Sequence, residues 1–377
     1  MSTETRPQIP TGWYDPAACD LQELADLVEQ TTEPSEYPHA EEVVQGVLVY
    51  GAALREAVAE PQTRRTAQAE LARALAEGPG IVLFRGAVVG DAVDAASAVF
   101  TRLIDEQRGR GYASGDHFAK PGANDRLWGA LDKLAVADPE VFAAYYSNDV
   151  LALVSEAWLG PRYQVTSQVN VVNPGGEAQV AHRDYHLGFM SRDQALGYPG
   201  HVHALSPVLT LQGAVAHVDM PVETGPTLYL PYSQRYPAGY VAYHQPEFTA
   251  YFDDHRVQLP LAKGDAAFFN PALFHGAGAN RSPDVRRMAN LLQVSSAFGR
   301  AMETVDRPAV LRVLYPVLKH YTGNIENVIA ASAEGYAFPT NLDVHQPVGG
   351  LAPPTQADVV RQALAEGWDD ARFERSL

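Results

Sequence analysis

A chain of 377 residues, 46% hydrophobic and 19% charged, can bury a substantial core as one elaborated domain or two modest ones. Its 45 acidic and 28 basic residues leave a formal charge of −17, which argues against nucleic acid or an anionic membrane surface as the main partner, because both need clustered Lys and Arg. Cys19 is the only cysteine, so an internal disulfide and a thiolate cluster are excluded and any metal must be held by histidine and carboxylate.

The opening residues MSTETRPQIPTGW are polar and lack the basic-then-apolar run of a signal peptide. No apolar stretch approaches the length of a membrane span, and the final Arg375-Ser376-Leu377 lacks the small residue that a peroxisomal address needs third from the end. The expectation is a cytoplasmic protein that acts on a small molecule.

Residues 20–29, 40–59 and 66–76 carry apolar side chains at three- and four-residue spacing between polar or Pro-rich breaks, which predicts three helices in an N-terminal region, 1–79, packed on the core of the protein. The texture changes at Gly78-Pro79-Gly80. Ile81-Val82-Leu83-Phe84 is a short buried strand, and residues 92–104 form an amphipathic helix. Strand-like runs then recur at 163–172, 207–219, 227–230, 257–261, 265–269 and 286–296, with turn signals such as Asn173-Pro174-Gly175-Gly176 and Thr224-Gly225-Pro226 between them. Many short strands with Gly and Pro punctuation, flanked by helices, predict an α+β protein with a mainly β core built as a sandwich or barrel over 80–300. Residues 301–377 form a C-terminal extension with irregular stretches at 338–343 and 347–350 and a last helix near 356–366; the segment 338–350 is a candidate lid.

The chemistry concentrates in Ala181-His182-Arg183-Asp184-Tyr185-His186. Residues i and i+2 of a strand share a face, so His182 and Asp184 can present an imidazole nitrogen and a carboxylate oxygen side by side. A third ligand from a distant strand would complete a two-histidine, one-carboxylate face with open coordination positions. His275 is the candidate, at the end of the apolar run from Asp265 through Phe274. A lone H-x-D is weak, and His217-Val218-Asp219 is a second one; His201-Val202-His203 offers a pair that would suit a cupin-type site. Spacing to His275 favours His182 only modestly. A keto-diacid co-substrate chelating such a metal would need a cation at its far carboxylate, a task suited to the planar fork of arginine. Arg286 and Arg287 open the strand that comes after His275, and alternation alone does not choose between them.

Taken together the pattern resembles the phytanoyl-CoA dioxygenase family of iron- and 2-oxoglutarate-dependent oxygenases. The matching stretches are Gly80-Ile81-Val82-Leu83-Phe84-Arg85-Gly86, His182-Arg183-Asp184, Thr224-Gly225-Pro226-Thr227-Leu228-Tyr229-Leu230-Pro231-Tyr232-Ser233, and Gly264-Asp265 through His275-Gly276-Ala277-Gly278-Ala279-Asn280-Arg281-Ser282, followed by Arg286. The resemblance implies a double-stranded β-helix, the jelly-roll variant akin to the cupins. It implies Fe(II) held by His182, Asp184 and His275, with 2-oxoglutarate and O2 as co-substrates. The family places its co-substrate arginine eleven residues after the distal histidine, which selects Arg286, and an Asn or Gln on the strand before H-x-D, which points to Gln168 and Asn170. Two departures stand out: Ala277 replaces a serine common two residues after the distal histidine, and Pro231-Tyr232-Ser233-Gln234 replaces a Pro-Gly-Ser-His turn.

The implied reaction oxidises, most simply hydroxylates, a small organic molecule with succinate and CO2 as co-products. Asp184 matters here, because halogenating relatives replace that carboxylate with Gly or Ala. Tyr185, His186, His117, Arg126, His201 and His203 are candidates for the substrate pocket. Two rival readings are a catalytically inactive jelly-roll binding protein and a cupin-like metal enzyme that uses His201 and His203 without 2-oxoglutarate.

Overall fold

The computed structural model describes residues 12–110 and 123–377. Its strands are β1 (Glu42–Val44), β2 (Val47–Tyr50), β3 (Ile81–Phe84), β4 (Asn124–Leu127), β5 (Gln164–Val172), β6 (Thr210–Ala216), β7 (Leu228–Leu230), β8 (Val257–Gln258), β9 (Ala266–Phe269), β10 (Phe274–Gly276) and β11 (Arg287–Ser295). Eight of them form one sheet in the order β1-β2-β3-β9-β6-β11-β5-β4, and β10-β7-β8 form a smaller one. The long pairing of β11 with β5 and β6 is antiparallel throughout, with Gln168 opposite Leu291 and Gln212 opposite Gln293.

Alternation divides the large sheet into two faces. Val165, Val169 and Val171 of β5, Leu211 and Val215 of β6, and Met288, Leu292 and Val294 of β11 lie on the outer face, in the main hydrophobic core. Helices Gly90–Gly109, Pro139–Tyr146 and Asp149–Leu159 cover this face, and each fully buried Val, Leu or Phe of it contributes about 2 kcal/mol. On the opposite, inner face Ile81, Leu83, Ala267 and Phe269 pack against Tyr229 of the small sheet, with Leu259 and Leu273, so the two sheets face each other. The inner face of the remaining strands is polar, with Gln168 and Asn170 on β5, Gln212 on β6, and Arg287 and Gln293 on β11.

The helix expected over 40–59 is largely a hairpin. Val44 pairs with Val47 across Gln45-Gly46, whose φ values of 52 and 81° are those of the two-residue turn that matches strand twist. Only Ala52–Ala57 is helical there, and β2 joins β3 in parallel, so the N-terminal region supplies two strands to the sheet. The run Val43, Val44, Val47, Leu48, Val49 is compatible with either period, and its β-branched residues favour the pleated surface. The other two N-terminal helices are Leu21–Val28 and Pro61–Ala76. Helices Arg307–Leu318, Ile325–Ser332, Gln356–Glu366 and Asp370–Glu374 send Leu311, Leu314, Ile329, Val360 and Phe373 into the main core, behind the large sheet. Residues 338–350 are irregular and largely exposed, and they reach the end of β11 through the ring contacts of Phe338 with Tyr336 and of Tyr336 with Phe298. Among the described residues no helix is long and apolar enough to cross a membrane.

Candidate metal centre

Residues 179–184 run antiparallel to residues 271–277. Gln179 N–H donates to the Ala277 carbonyl at 2.8 Å, His182 and His275 exchange backbone bonds of 2.9 and 3.1 Å, and Asp184 N–H donates to the Pro271 carbonyl at 3.0 Å. The sequence predicts a strand here; the structure has one isolated bridge, His182 to His275, in an extended segment. Pro271 has no N–H to return Asp184's bond, and Tyr185 and His186 turn the chain away at φ 62 and 44°, so pairing stops after a few residues.

That pairing gathers the three expected ligands. One donor atom from each of His182, Asp184 and His275 lies within 4.8 Å of the others. His182 Nε2 stands 3.6 Å from Asp184 Oδ1 and His275 Nε2 3.2 Å from Asp184 Oδ2. Each imidazole uses its other nitrogen on the backbone: His182 Nδ1–H donates to Val180 O and His275 Nδ1–H to Leu273 O, both at 2.8 Å. This fixes the tautomer that leaves both Nε2 lone pairs for a metal. Gln212 Nε2 donates to Asp184 Oδ2 and orients the carboxylate. Burial pushes the Asp184 carboxyl up, but His182, His275 and the Gln212 bond outweigh it and hold the acid well below its usual range. His275 is buried and His182 partly exposed, so the centre opens on the His182 side. The donor set suits a divalent first-row metal with vacant positions.

Arg183, the middle residue of the motif, points the other way and is 2% exposed. Its guanidinium donates to Ser233 O at 2.6 Å and Tyr236 O at 3.0 Å and lies over the rings of Tyr240 and Phe274. Burial lowers its pKa to about 10. Ser233 also accepts from Phe274 N–H through Oγ, tying the turn after β7 to the strand that carries His275. Tyr232, where the resemblance leads one to expect glycine, takes φ 69°, and its hydroxyl bonds Thr32 Oγ1 at 2.7 Å. The departure in that turn is thus absorbed locally.

The structure places Arg286 and Arg287 on opposite faces of the sheet. Arg286 is exposed, donates through Nε to Asn173 Oδ1 at 3.1 Å, and pairs with Asp125, which Arg108 also holds. Asp125 and Arg126 alternate across β4, so Arg286 sits with Asp125 on the face away from Arg126 and the site. Arg287 opens β11, faces Val172 in register, and is 7% exposed on the inner face. Its Nη1 donates to Thr224 O at 3.2 Å and Gly278 O at 3.1 Å, between the Gly225 loop and the loop after His275. Those loops touch so closely that a Cβ on Gly225 would come within 2.5 Å of the Gly278 backbone. Among the described residues no carboxylate pairs with Arg287, and burial lowers its pKa to about 10. A buried cation without a counter-ion is costly unless an anion comes to it.

The other expected residues fall in different places. Tyr185 is buried beside the metal ligands with its hydroxyl unpartnered among the described residues, and Gln168, Asn170 and Arg126 share the inner face, where Arg126 pairs in register with Asn170 and stacks on Trp128. His186 Nδ1 bonds Ser206 Oγ at 3.3 Å. His201 is exposed on the short helix Gly200–Leu205, whereas His203 is buried there with Nε2 on the Ala195 carbonyl at 3.0 Å. Among the described residues the two form no metal-holding group with a third ligand. His117 lies outside the described residues. The second H-x-D is a core feature on the outer face: His217 is clamped between Ser97 Oγ at 2.7 Å and Tyr145 OH at 3.0 Å, and Asp219 caps Lys263 N–H. Sequence reasoning misses Gln212 and Arg183. Gln212 is detectable in principle as the polar member of an otherwise apolar strand.

Two imidazoles and a carboxylate gathered on one side of a site between two sheets have the composition of a mononuclear facial-triad metal centre. The model of the family Phytanoyl-CoA dioxygenase (PhyH) matches residues 76–288, and the chain belongs to this family. Two curated relatives are dioxygenase trt7 of Aspergillus terreus, 29% identical over 190 residues (50% of this chain, 56% of the relative), and dioxygenase cdmD of Talaromyces verruculosus, 32% identical over 119 residues (31% and 34%). The chain thus spans about half of the one and a third of the other. Among solved structures, the 2-oxoglutarate-dependent epimerase SnoN of nogalamycin biosynthesis is 19% identical with a TM-score of 0.41, covering 63% of this chain and 82% of its own. HygX from Streptomyces hygroscopicus is 15% identical with a TM-score of 0.44, covering 60% and 87%.

Proposed function

We propose that this chain is a non-haem Fe(II)- and 2-oxoglutarate-dependent dioxygenase that hydroxylates a small organic molecule, and that its facing sheets are the halves of a double-stranded β-helix. The observation that carries the reading is a complete metal triad, joined through Asp184 to Gln212 of the inner face, together with a buried Arg287 on that face that pairs with no carboxylate among the described residues. His182, Asp184 and His275 would bind iron on one side and leave the remaining positions to the co-substrate and O2. Arg287 would grip the far carboxylate of 2-oxoglutarate. Asn170, opposite Ala289 and two residues from Arg287 along the sheet, is placed to touch the same molecule; Gln168 lies farther off, toward Gln293 and Met302. With both bound, the centre would supply oxidative decarboxylation by O2, one oxygen atom leaving in succinate as CO2 is released and the other passing to a C–H bond of the substrate as hydroxyl. The protein's part is to hold the ligand tautomers through Val180 O and Leu273 O, to orient Asp184 through Gln212, and to anchor the H-x-D segment through Arg183.

The test is succinate formation from 2-oxoglutarate under air, with and without ferrous iron. Turnover that requires both, and is lost in His182→Ala, supports the reading. Succinate formation that is absent in the iron-loaded protein, or that is unchanged in His182→Ala, overturns it and favours a binding protein that keeps the fold.

A further inference from the structure

Several polar atoms on the inner face are buried and have no hydrogen-bond partner among the described residues, and three of them belong together. Gln168 is fully buried; its Nε2 leans on Gln293 Oε1 at 3.4 Å and Met302 Sδ at 3.8 Å, while its Oε1 has no partner. Tyr185, 3% exposed and next to the ligand Asp184, has an unpartnered hydroxyl. Glu303, just past the end of β11, accepts the Gly129 N–H through Oε1 at 3.0 Å, and its Oε2 is buried without a partner. Gln168 touches Met302, the residue before Glu303, and its amide reaches toward the Glu303 carboxylate, while Tyr185 follows the ligand Asp184 and feels the Glu303 charge, so the three groups share one space at the end of the site away from Arg287. Leaving a polar atom buried and unpaired costs about 1–3 kcal/mol each, and native folds seldom tolerate it without a functional reason.

Two of the three atoms, a carboxylate oxygen and an amide carbonyl, can only accept. The hydroxyl of Tyr185 can accept as well. A carboxylate or phosphate brought here would meet Glu303 with its charge uncompensated, and an alkyl chain would leave all three atoms unpaired. We propose that Glu303, Gln168 and Tyr185 form the substrate subsite, and that they recognise a hydrogen-bond-donating group, hydroxyl or ammonium, on a neutral or cationic small molecule. This rests on the oxygenase reading and names the substrate class for it. Glu303 is a specificity residue fixed in place by Gly129, with its second oxygen free to take the donor.

Binding can be read by ligand-observed NMR on the zinc-substituted protein saturated with 2-oxoglutarate, using glucosamine, glucose and hexanoate as probes. Glucosamine and glucose should bind and compete with each other, and hexanoate should not bind. Glu303→Gln keeps the Gly129 bond and removes the charge; Glu303→Ala removes both. A loss of about tenfold or more for glucosamine in Glu303→Gln, with glucose little changed, assigns the donor as ammonium, and comparable losses for both probes assign it as hydroxyl. Hexanoate binding as tightly as the sugars, failure of both sugars to bind, or affinities unchanged in Glu303→Gln would overturn the subsite. If Glu303→Ala does not fold, Glu303→Gln alone decides. Succinate formation by the unaltered protein without any probe tests the oxygenase reading separately, so the two proposals fail independently.

Discussion

His182 and His275 hold each other by the backbone, through N–H···O=C bonds of 2.9 and 3.1 Å, and their rings stand 4.5 Å apart. The metal face is therefore built into the main chain, and each imidazole adds only its Nε2. Removing a ring should empty the site without unravelling the segment. His275→Ala is expected to fold and to lose ferrous-iron affinity by at least about a hundredfold, since even partners behind the ligands carry tenfold to a hundredfold effects. Anaerobic iron titration checks this. Added iron should raise the melting temperature of the unaltered protein and leave that of the variant unchanged.

Neighbouring arginines make a sharper test, because alternation sends them to opposite faces. Arg287→Met removes the buried guanidinium and should raise the KM for 2-oxoglutarate tenfold to a hundredfold, about the range of a charge-assisted pair. Arg286→Met breaks an exposed contact with Asp125, an interaction of about 0–1 kcal/mol, and should leave that KM within about twofold. A larger effect from Arg286→Met than from Arg287→Met would contradict the assignment.

The same pair shows where sequence reasoning reaches its limit. His182, Asp184 and His275 were legible because metal chemistry restricts residue type and a motif fixes their neighbours. Arg286 and Arg287 differ by one position, and a one-residue slip of register exchanges the faces of a strand. The register is set by the pairing of Arg287 with Val172, a long-range contact absent from the local pattern. Most core strands were legible from β-branched runs between turns. The Gln45-Gly46 hairpin was not, because its apolar residues also satisfy helical spacing. The grouping of Glu303 with Gln168 and Tyr185 was invisible, since those residues lie more than a hundred positions earlier.

Acid should loosen this fold through His217. Burial lowers its pKa to about 3, from an ordinary 6.5. Between those values the unfolded chain binds the proton and the folded chain does not, so the contribution is complete above about pH 6.5 and is lost progressively as pH falls toward 3, by about 1.4 kcal/mol per unit. Ser97 Oγ donates to Val93 O, so His217 Nδ1–H donates to Ser97 and Nε2 accepts from Tyr145; the neutral ring meets both partners. His217→Gln should be less stable than the unaltered protein at pH 7 and lose less stability on acidification. Urea denaturation at pH 7, 6 and 5 measures the gap, which should narrow; a constant gap would remove the histidine from the account.

Arg183 joins structure to chemistry most directly. It sits between two metal ligands yet turns its guanidinium into the protein, onto Ser233 O and Tyr236 O and between the rings of Tyr240 and Phe274. Gly239 makes room for it, because a Cβ there would come within 2.5 Å of three guanidinium atoms. Arg183→Met keeps much of the volume and removes two charge-assisted bonds, of about 1.5–3 kcal/mol each, although the Ser233 and Tyr236 carbonyls each keep a backbone donor, Tyr236 N–H and Gly239 N–H. Gly239→Ala leaves the donor in place and displaces it. Both changes should lower stability and also iron affinity, since either lets the His182–Asp184 segment shift relative to His275. A control such as Leu311→Ala, in the core behind the large sheet, should lower stability by about 2–5 kcal/mol and leave iron affinity near its original value. Iron affinity that tracks stability equally in all three variants would make Arg183 a packing residue with no special hold on the metal face.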